Sequence, residues 1–154
     1  MTDNWSPERA KDIISAHLSL EGPLLPILHA LQQEFGYLPR EAMVLVAEAL
    51  NITRADVHGV ASFYPDFRSQ PPGRHVLKIC RAEACQAMGG EENAEALLAR
   101  LGLSWGITSA NGALTIEPVY CLGLCATAPN AQRDGEAFSR LDADTLEALA
   151  REVL

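Results

Sequence analysis

The sequence predicts an α/β protein whose N-terminal part is a helical bundle and whose C-terminal part mixes helices with strands. Apolar residues recur at helical spacing through residues 1–70. The stretch SQPPG, residues 69–73, then interrupts this pattern with two prolines, which cannot continue a helix. Beyond it, alternating apolar runs typical of strands share the chain with amphipathic segments. We therefore expect two domains, residues 1–70 and residues 74–154.

The N-terminal part predicts four helices. The first covers roughly residues 7–20. The second ends at Gly36 and carries apolar residues every three or four positions, namely Leu24, Ile27, Leu28, Leu31 and Phe35. The third begins near Pro39, and Thr53 is placed to cap the N-terminus of a short fourth helix. Helices joined by such short connections form a bundle.

The C-terminal part predicts a sheet covered by helices. RHVLKIC alternates as a strand that leads into Cys80, and GEENAEALLARLGL is an amphipathic helix. Asn111-Gly112 lies between two alternating apolar runs and predicts a hairpin, because both residues tolerate positive φ. Asp134-Gly135 indicates a further turn before a short strand at FSRL. Asp144, three residues before Glu147, predicts the capping-box start of a last helix.

Composition narrows the class of function. The formal net charge of −8 over 154 residues argues against nucleic-acid binding, which needs a basic surface. The polar start MTDNWSPERAKDII is unlike a signal peptide, and no apolar run has the length of a membrane span. We therefore expect a cytoplasmic protein that does not insert into a membrane. Thiols in that compartment stay reduced, so its cysteines are expected to bind metal or react rather than form disulfides.

The four cysteines fall into two close pairs, Cys80 with Cys85 and Cys121 with Cys125. Both pairs follow predicted strands, so their loops can meet at one edge of the sheet. Neither C-x4-C nor C-x3-C has the C-x-x-C spacing of a redox dithiol. Buried structural thiols, a tetrahedral zinc site and a [2Fe–2S] cluster all remain open.

The residues around the cysteines favour iron and sulfide modestly over zinc. Gly123 lets CLGLC curl so that backbone N–H groups turn toward sulfur, and these donors tune the potential of a cluster. Leu122 and Leu124 can exclude water. Positive charge on Lys78, Arg81 or Arg133 either raises that potential or belongs to the ordinary solvated surface. No nucleotide-binding pattern and no acid–base or nucleophile set accompanies the cysteines.

Four segments resemble the thioredoxin-like [2Fe–2S] subunit of NADH:quinone oxidoreductase and its relatives in NAD-dependent formate dehydrogenases and NAD-reducing hydrogenases. They are LLPILHALQQEFGYLP, VHGVASFYPDF, VLKICRAEACQAMGG and EPVYCLGLCATAP. The resemblance covers almost the whole chain, and the CLGLC block followed by AP is its most specific part. It implies that Cys80, Cys85, Cys121 and Cys125 together hold one [2Fe–2S] cluster. It also implies a helical N-terminal part followed by a thioredoxin-like domain.

The resemblance further implies a non-catalytic electron-transfer subunit. Its partners would be a subunit that binds FMN and NAD and further iron–sulfur or catalytic subunits of a hetero-oligomeric dehydrogenase. CRAEACQ is most similar to the γ subunit of soluble NAD-linked formate dehydrogenases, so that complex is the expected owner. The same subunit of respiratory NADH:quinone oxidoreductase or of a hydrogenase is an alternative. A zinc-stabilised interaction module and a free thiol oxidoreductase are alternatives from other classes.

Overall fold

A computed structural model describes residues 5–154 and confirms the predicted α/β class. The chain divides into two compact units, one ending at Pro71 and the other beginning at Pro72. That residues 1–70 and 74–154 are independent domains stays a prediction. Within residues 5–154, no helix combines the length and the apolar character needed to cross a bilayer.

The first unit is built from four helices: α1 (Pro7–His17), α2 (Leu24–Phe35), α3 (Arg40–Leu50) and α4 (Arg54–Phe63). Helix α2 ends where predicted, because Gly36 adopts a left-handed φ of +82°. Thr53 caps α4, and Asp56 completes a capping box with it. Helix α1 ends three residues before the predicted limit, since Leu18 and Leu20 are exposed and add nothing to the core.

The core of the first unit draws on all four helices. Its fully buried side chains include Ala10 of α1, Ile27 and Leu28 of α2, Val46 of α3 and Val57 of α4. Each helix thus buries the apolar stripe that its sequence periodicity indicates.

The second unit contains a four-stranded sheet. In chain order its elements are β1 (His75–Cys80), α5 (Glu83–Ala87), α6 (Gly90–Leu101), β2 (Leu114–Val119), a 3₁₀ turn (Cys125–Thr127), β3 (Asn130–Arg133), β4 (Glu136–Ser139) and α7 (Ala143–Arg151). The strands lie in the order β2-β1-β3-β4, so β2 and β4 form the two edges. Strand β1 runs parallel to β2, where Ile79 pairs with Pro118, and antiparallel to β3.

Alternation along the strands builds the core of the second unit. Leu77 and Ile79 of β1 and Leu114 and Ile116 of β2 are buried. They pack in one cluster with apolar side chains of α6 and α7, namely Ala94, Leu97, Leu98, Leu146, Leu149 and Ala150. Because β1 and β2 run parallel, their carboxyl ends lie side by side, and the cysteine-bearing loops begin at these ends.

The hairpin predicted at Asn111-Gly112 is wrong in extent. The segment before this turn forms one isolated bridge, Thr108 with Thr115, instead of a strand. Trp105 of this arm packs partly against the core, but Ile107 is 55% exposed, and only Gly112 of the dipeptide takes positive φ. The full hairpin lies at Asp134-Gly135, whose φ values of +51° and +91° suit a tight turn between β3 and β4.

The cap predicted for the last helix is displaced by two residues. The side chain of Asp142, rather than Asp144, accepts a hydrogen bond from the backbone N–H of Thr145 at 2.9 Å. Glu147 does not close a capping box but forms ion pairs with Arg100 and Arg151. Asp142 and Asp144 both precede the same apolar run, so the sequence pattern alone does not indicate which of them caps the helix.

Candidate metal centre

The four cysteines lie at the carboxyl ends of β1 and β2 and in the loops that follow. Cys80 is the last residue of β1, and Cys85 lies in the short helix α5. Cys121 lies two residues after the end of β2, and Cys125 opens the 3₁₀ turn. Cys80 pairs with Val119 across the two parallel strands, so both loops leave the sheet at the same end.

The thiols form two pairs that share one neighbourhood. The sulfur atoms of Cys121 and Cys125 are 3.6 Å apart. Burial raises the pKa of Cys80, and the nearby thiol of Cys85 and backbone N–H groups of Cys121 and Leu122 lower it, so the second loop adjoins the first pair. Among residues 5–154, no three His, Cys, Asp or Glu side chains converge closely enough to hold a single metal ion.

Unusual backbone conformations shape the second loop. Cys121 has a φ of +85° and Gly123 a φ of +77°, both in the left-handed region. The N–H of Gly123 donates to the sulfur of Cys121 at 3.3 Å. A Cβ on Gly123 would meet no atom within 4 Å, so glycine is required there for its φ rather than for space. The sequence indicated the glycine but not the strained cysteine.

Burial differs sharply between the two pairs. Cys80 and Cys85 are buried, whereas Cys121 and Cys125 are exposed. Leu122 and Leu124 are half-buried between the exposed thiols. The centre therefore has a side that faces the core and a side that faces solvent.

The thiols also differ in their acidity. Burial raises the pKa of Cys80, but the N–H groups of Ala82, Cys121 and Leu122 and the thiol of Cys85 stabilise its thiolate and bring the net pKa below its usual range. Burial, followed by the neighbouring Cys80, raises the pKa of Cys85. The hydrogen bond and the charge of Cys121 raise the pKa of Cys125. Two thiolates as close as the sulfur atoms of Cys121 and Cys125, 3.6 Å apart, would repel one another unless a cationic centre bound them.

Arg81 and Arg133, two of the basic residues that could raise the potential of a cluster, each form an ion pair with a carboxylate. Arg81 forms a two-point ion pair with Glu91, with Nε and Oε2 3.0 Å apart, and its guanidinium lies over the ring of Trp105. Arg133 pairs with Glu152 at 2.7 Å. Each carboxylate offsets much of the positive charge that would otherwise act on the sulfur atoms.

One neighbour of the thiols, Asn130, was not identified from the sequence. The side-chain amide of Asn130, at the start of β3, donates to the sulfur of Cys85 at 3.6 Å. This contact joins residues 45 positions apart, and no spacing pattern identifies it. Only the antiparallel pairing of β3 with β1 brings the amide to the cysteine loops.

The donor set fits a [2Fe–2S] cluster. Such a cluster takes four thiolates, two for each iron, and is stabilised by N–H donors to sulfur. The two thiol pairs, together with the N–H groups of Ala82, Cys121, Leu122 and Gly123, match both requirements.

Comparison with known proteins gives a family match and similar subunits. The family model for thioredoxin-like [2Fe–2S] ferredoxins matches residues 10–154. A subunit of NADH-quinone oxidoreductase from Mycobacterium bovis is 34% identical over 84% of this chain and 51% of its own length. A subunit of the NADP-reducing hydrogenase from Solidesulfovibrio fructosivorans, HndA, is 36% identical over 71% of this chain and 64% of its own.

A solved structure shares the fold. In the crystal structure of NAD⁺-reducing [NiFe]-hydrogenase in the H₂-reduced state, one chain superposes with a TM-score of 0.69 and 27% identity. The match covers 84% of this chain and 22% of that one. The chain thus spans about half of the mycobacterial relative, at 51%, and a smaller part of the hydrogenase chain.

Proposed function

The chain belongs to the thioredoxin-like [2Fe–2S] ferredoxin family, and on that premise we propose that Cys80, Cys85, Cys121 and Cys125 hold one [2Fe–2S] cluster. A bound cluster would supply reversible one-electron transfer. One observation carries the ligand assignment. The end of the strand that carries Cys80 lies beside the start of the second cysteine loop, because Cys80 pairs with Val119 across β1 and β2, and this proximity supports one centre for both pairs.

The protein's own contribution is to hold the thiolates and to control access to them. Buried Cys80 and Cys85 anchor the centre against the sheet, and Leu122 and Leu124 restrict water. The N–H donors favour the more negative, reduced state. Electron exchange requires a short separation between the cluster and the redox group of the partner. Exposed Cys121 and Cys125 leave one side of the centre open to such an approach.

The role that follows is that of a non-catalytic electron-transfer subunit. We propose that its partner binds FMN and NAD and that both belong to a hetero-oligomeric dehydrogenase in the cytoplasm. Similarity to subunits of NADH-quinone oxidoreductase and of a hydrogenase supports an assembly of this class. The finer proposal, that the assembly is an NAD-dependent formate dehydrogenase, rests on the CRAEACQ segment alone.

Serine substitution tests the ligand assignment. In protein purified without oxygen, we expect two irons and two acid-labile sulfides per chain and an EPR signal of spin one-half after reduction, as a [2Fe–2S] centre requires. Cys→Ser at any of the four positions should abolish or alter this signal while the helical circular dichroism of the first unit persists. Ala84→Ser is the matched control, because it adds the same hydroxyl between Cys80 and Cys85 without removing a thiol.

The outcomes separate the alternatives. A serine variant that keeps the parent optical and EPR spectra removes that cysteine from the ligand set. Stoichiometric zinc without sulfide would favour a structural module, and disulfide turnover by metal-free protein would favour a thiol oxidoreductase. Co-purification of partners, assayed with formate, NADH and hydrogen, identifies the complex that owns the subunit.

A further inference from the structure

The loop from Cys121 to Cys125 brings its two thiols together through the path of its own backbone. The left-handed φ values of Cys121 and Gly123 turn the chain back on itself, and Cys125 then opens the 3₁₀ turn. As a result the two sulfur atoms are 3.6 Å apart. A disulfide needs a separation of about 2.0 Å, so a short movement of the side chains is enough to join them.

The middle of this loop has room for that movement. No atom of residues 5–154 comes within 4 Å of a Cβ built on Gly123. The loop can therefore close between its two cysteines without displacing a packed neighbour.

Exposure separates this pair from the other two cysteines. The side chains of Cys121 and Cys125 are exposed, whereas Cys80 is 4% and Cys85 1% exposed. Exchange between a thiol and a disulfide starts with contact between two sulfur atoms, so it depends on access. A bulky reagent such as oxidised glutathione reaches the exposed pair and is kept from the buried one.

We propose that Cys121 and Cys125 are a reversible oxidation site of the metal-free chain, where they close a disulfide with each other while Cys80 and Cys85 remain thiols. That these thiols are ligands rests on the proposed function. An exposed thiol without a neighbouring thiol can be oxidised as far as the irreversible sulfinic acid. The disulfide instead withholds two of the four ligands in a form from which a dithiol recovers them.

The oxidant is a low-molecular-weight disulfide, and the step balances. One cysteine gives its proton to water, and its sulfur attacks a sulfur of oxidised glutathione, whose S–S bond breaks and releases one glutathione. The second cysteine also loses a proton and attacks the protein sulfur of this mixed disulfide, which releases the other glutathione. Two protein thiols are thus oxidised by two electrons, and the two released glutathiones take up the two protons.

Treatment of reduced, metal-free, full-length protein with oxidised glutathione tests the proposal. We expect the number of free thiols per chain to fall from four to two, with loss of two hydrogen atoms from the mass. Tryptic cleavage after Lys78, Arg81, Arg100 and Arg133 places Cys80, Cys85 and the second pair on three separate peptides. An alkylating label should then modify the first two peptides and leave the third unmodified.

Two variants examine the pairing. Cys125→Ser removes the second thiol, so Cys121 should stop at the mixed disulfide and add one glutathione to the mass of the protein. Ala126→Ser is the matched control, because it places the same hydroxyl one residue further along the exposed turn and keeps both thiols. This control should close the disulfide as the unmodified protein does.

Recovery completes the test. Dithiothreitol should restore four thiols, and anaerobic reconstitution should then give the same iron and sulfide content as protein that was never oxidised. Retention of all four thiols, loss of all four, or a disulfide between the two pairs overturns the proposal and leaves the proposed function standing. If the disulfide forms as stated but the reduced protein takes up no iron and sulfide, the oxidation site stands and the proposed function fails.

Discussion

At the scale of single residues, the centre depends on how closely the backbone packs behind it. Gly90, the first residue of α6, lies against the peptide that follows Cys85. A Cβ built on Gly90 would come within 2.7 Å of the carbonyl oxygen of Cys85, closer than atoms normally approach. Only glycine lets α6 start at this point without displacing a candidate ligand.

Gly90→Ala should therefore destabilise the protein and disturb the centre. Overpacking of this kind costs about 1–3 kcal/mol, which exceeds the gain of about 0.5–1 kcal/mol from replacing a helical glycine. Urea denaturation measures the free energy of unfolding, and iron content reports on the site. Gly59→Ala is the matched control in α4, where a Cβ would meet nothing within 4 Å, and it should stabilise the protein. Equal stability of the two variants would contradict the packing argument.

At the scale of elements, Asp134 links the β3–β4 turn to the start of β1. One carboxylate oxygen accepts from the N–H of Val76 at 2.9 Å, and the other lies 2.7 Å from Nδ1 of His75. Partial burial raises the pKa of Asp134, but these two contacts outweigh it and hold the net pKa below its usual range. The turn is thereby tied to a strand some 58 residues earlier in the chain.

This link should make stability depend on pH. Because the folded-state pKa is depressed, the stabilisation is present above the unfolded value of about 3.9 and is lost as pH falls through the lower folded value. Asp134→Asn should cost about 0.2–1 kcal/mol at neutral pH, the range for exposed pairs, and the gap should close in acid. Urea denaturation of the two metal-free proteins across this pH range measures the difference in their free energies of unfolding at neutral pH and its loss in acid. Glu136→Gln, an exposed carboxylate in the same hairpin, is the control, and a gap that is constant with pH would contradict the link.

The elements also show what can be predicted from sequence and what cannot. Helices α2 and α4 are predictable because Gly36 and Thr53 act on the backbone next to them. The five residues of α5 are too few to show a period, and β3 reads NAQR, with little apolar alternation. The arm before Asn111 has strand-like residues, but it forms only an isolated bridge to β2 and leaves Ile107 exposed.

The candidate metal centre, too, can be predicted from the sequence only in part. The cysteine spacing predicts two pairs, because it follows from local chain geometry. The contact between Asn130 and Cys85 and the ion pair between Arg81 and Glu91 depend on how strands and helices come together. Residue types alone therefore indicated the candidate ligands but not these contacts around them.

At the scale of the whole molecule, the chain carries two separate hydrophobic cores. One lies in the unit that ends at Pro71, and the other lies in the unit that contains the cysteines. Leu28 of α2 is fully buried in the first core. If each unit is an independent domain, damage to one core should leave the chemistry of the other unchanged.

Leu28→Ala tests this independence. We expect it to lower the free energy of unfolding of the first unit by about 2–5 kcal/mol, because it removes buried methyl groups and leaves a cavity. The EPR signal and the midpoint potential of the centre should match those of the unmodified protein. Leu20→Ala, at a position 46% exposed, should change neither quantity measurably. Loss of the cluster in Leu28→Ala would show that the two units unfold together.

Strand β2 also bears on how copies of the protein behave at high concentration. It lies at one edge of the sheet, and an edge strand with unpaired backbone groups can recruit a strand from another molecule. The N–H groups of Gly106 and Ser109 already donate to the carbonyl oxygens of Ile116 and Leu114 along this edge, both at 2.8 Å. Pro118 sits within this strand and has no N–H to offer an incoming chain. At the opposite edge β4 has only four residues, too short to template a long intermolecular ladder. Both edges of the sheet are thus protected against pairing with strands of other molecules and growing into fibres or aggregates.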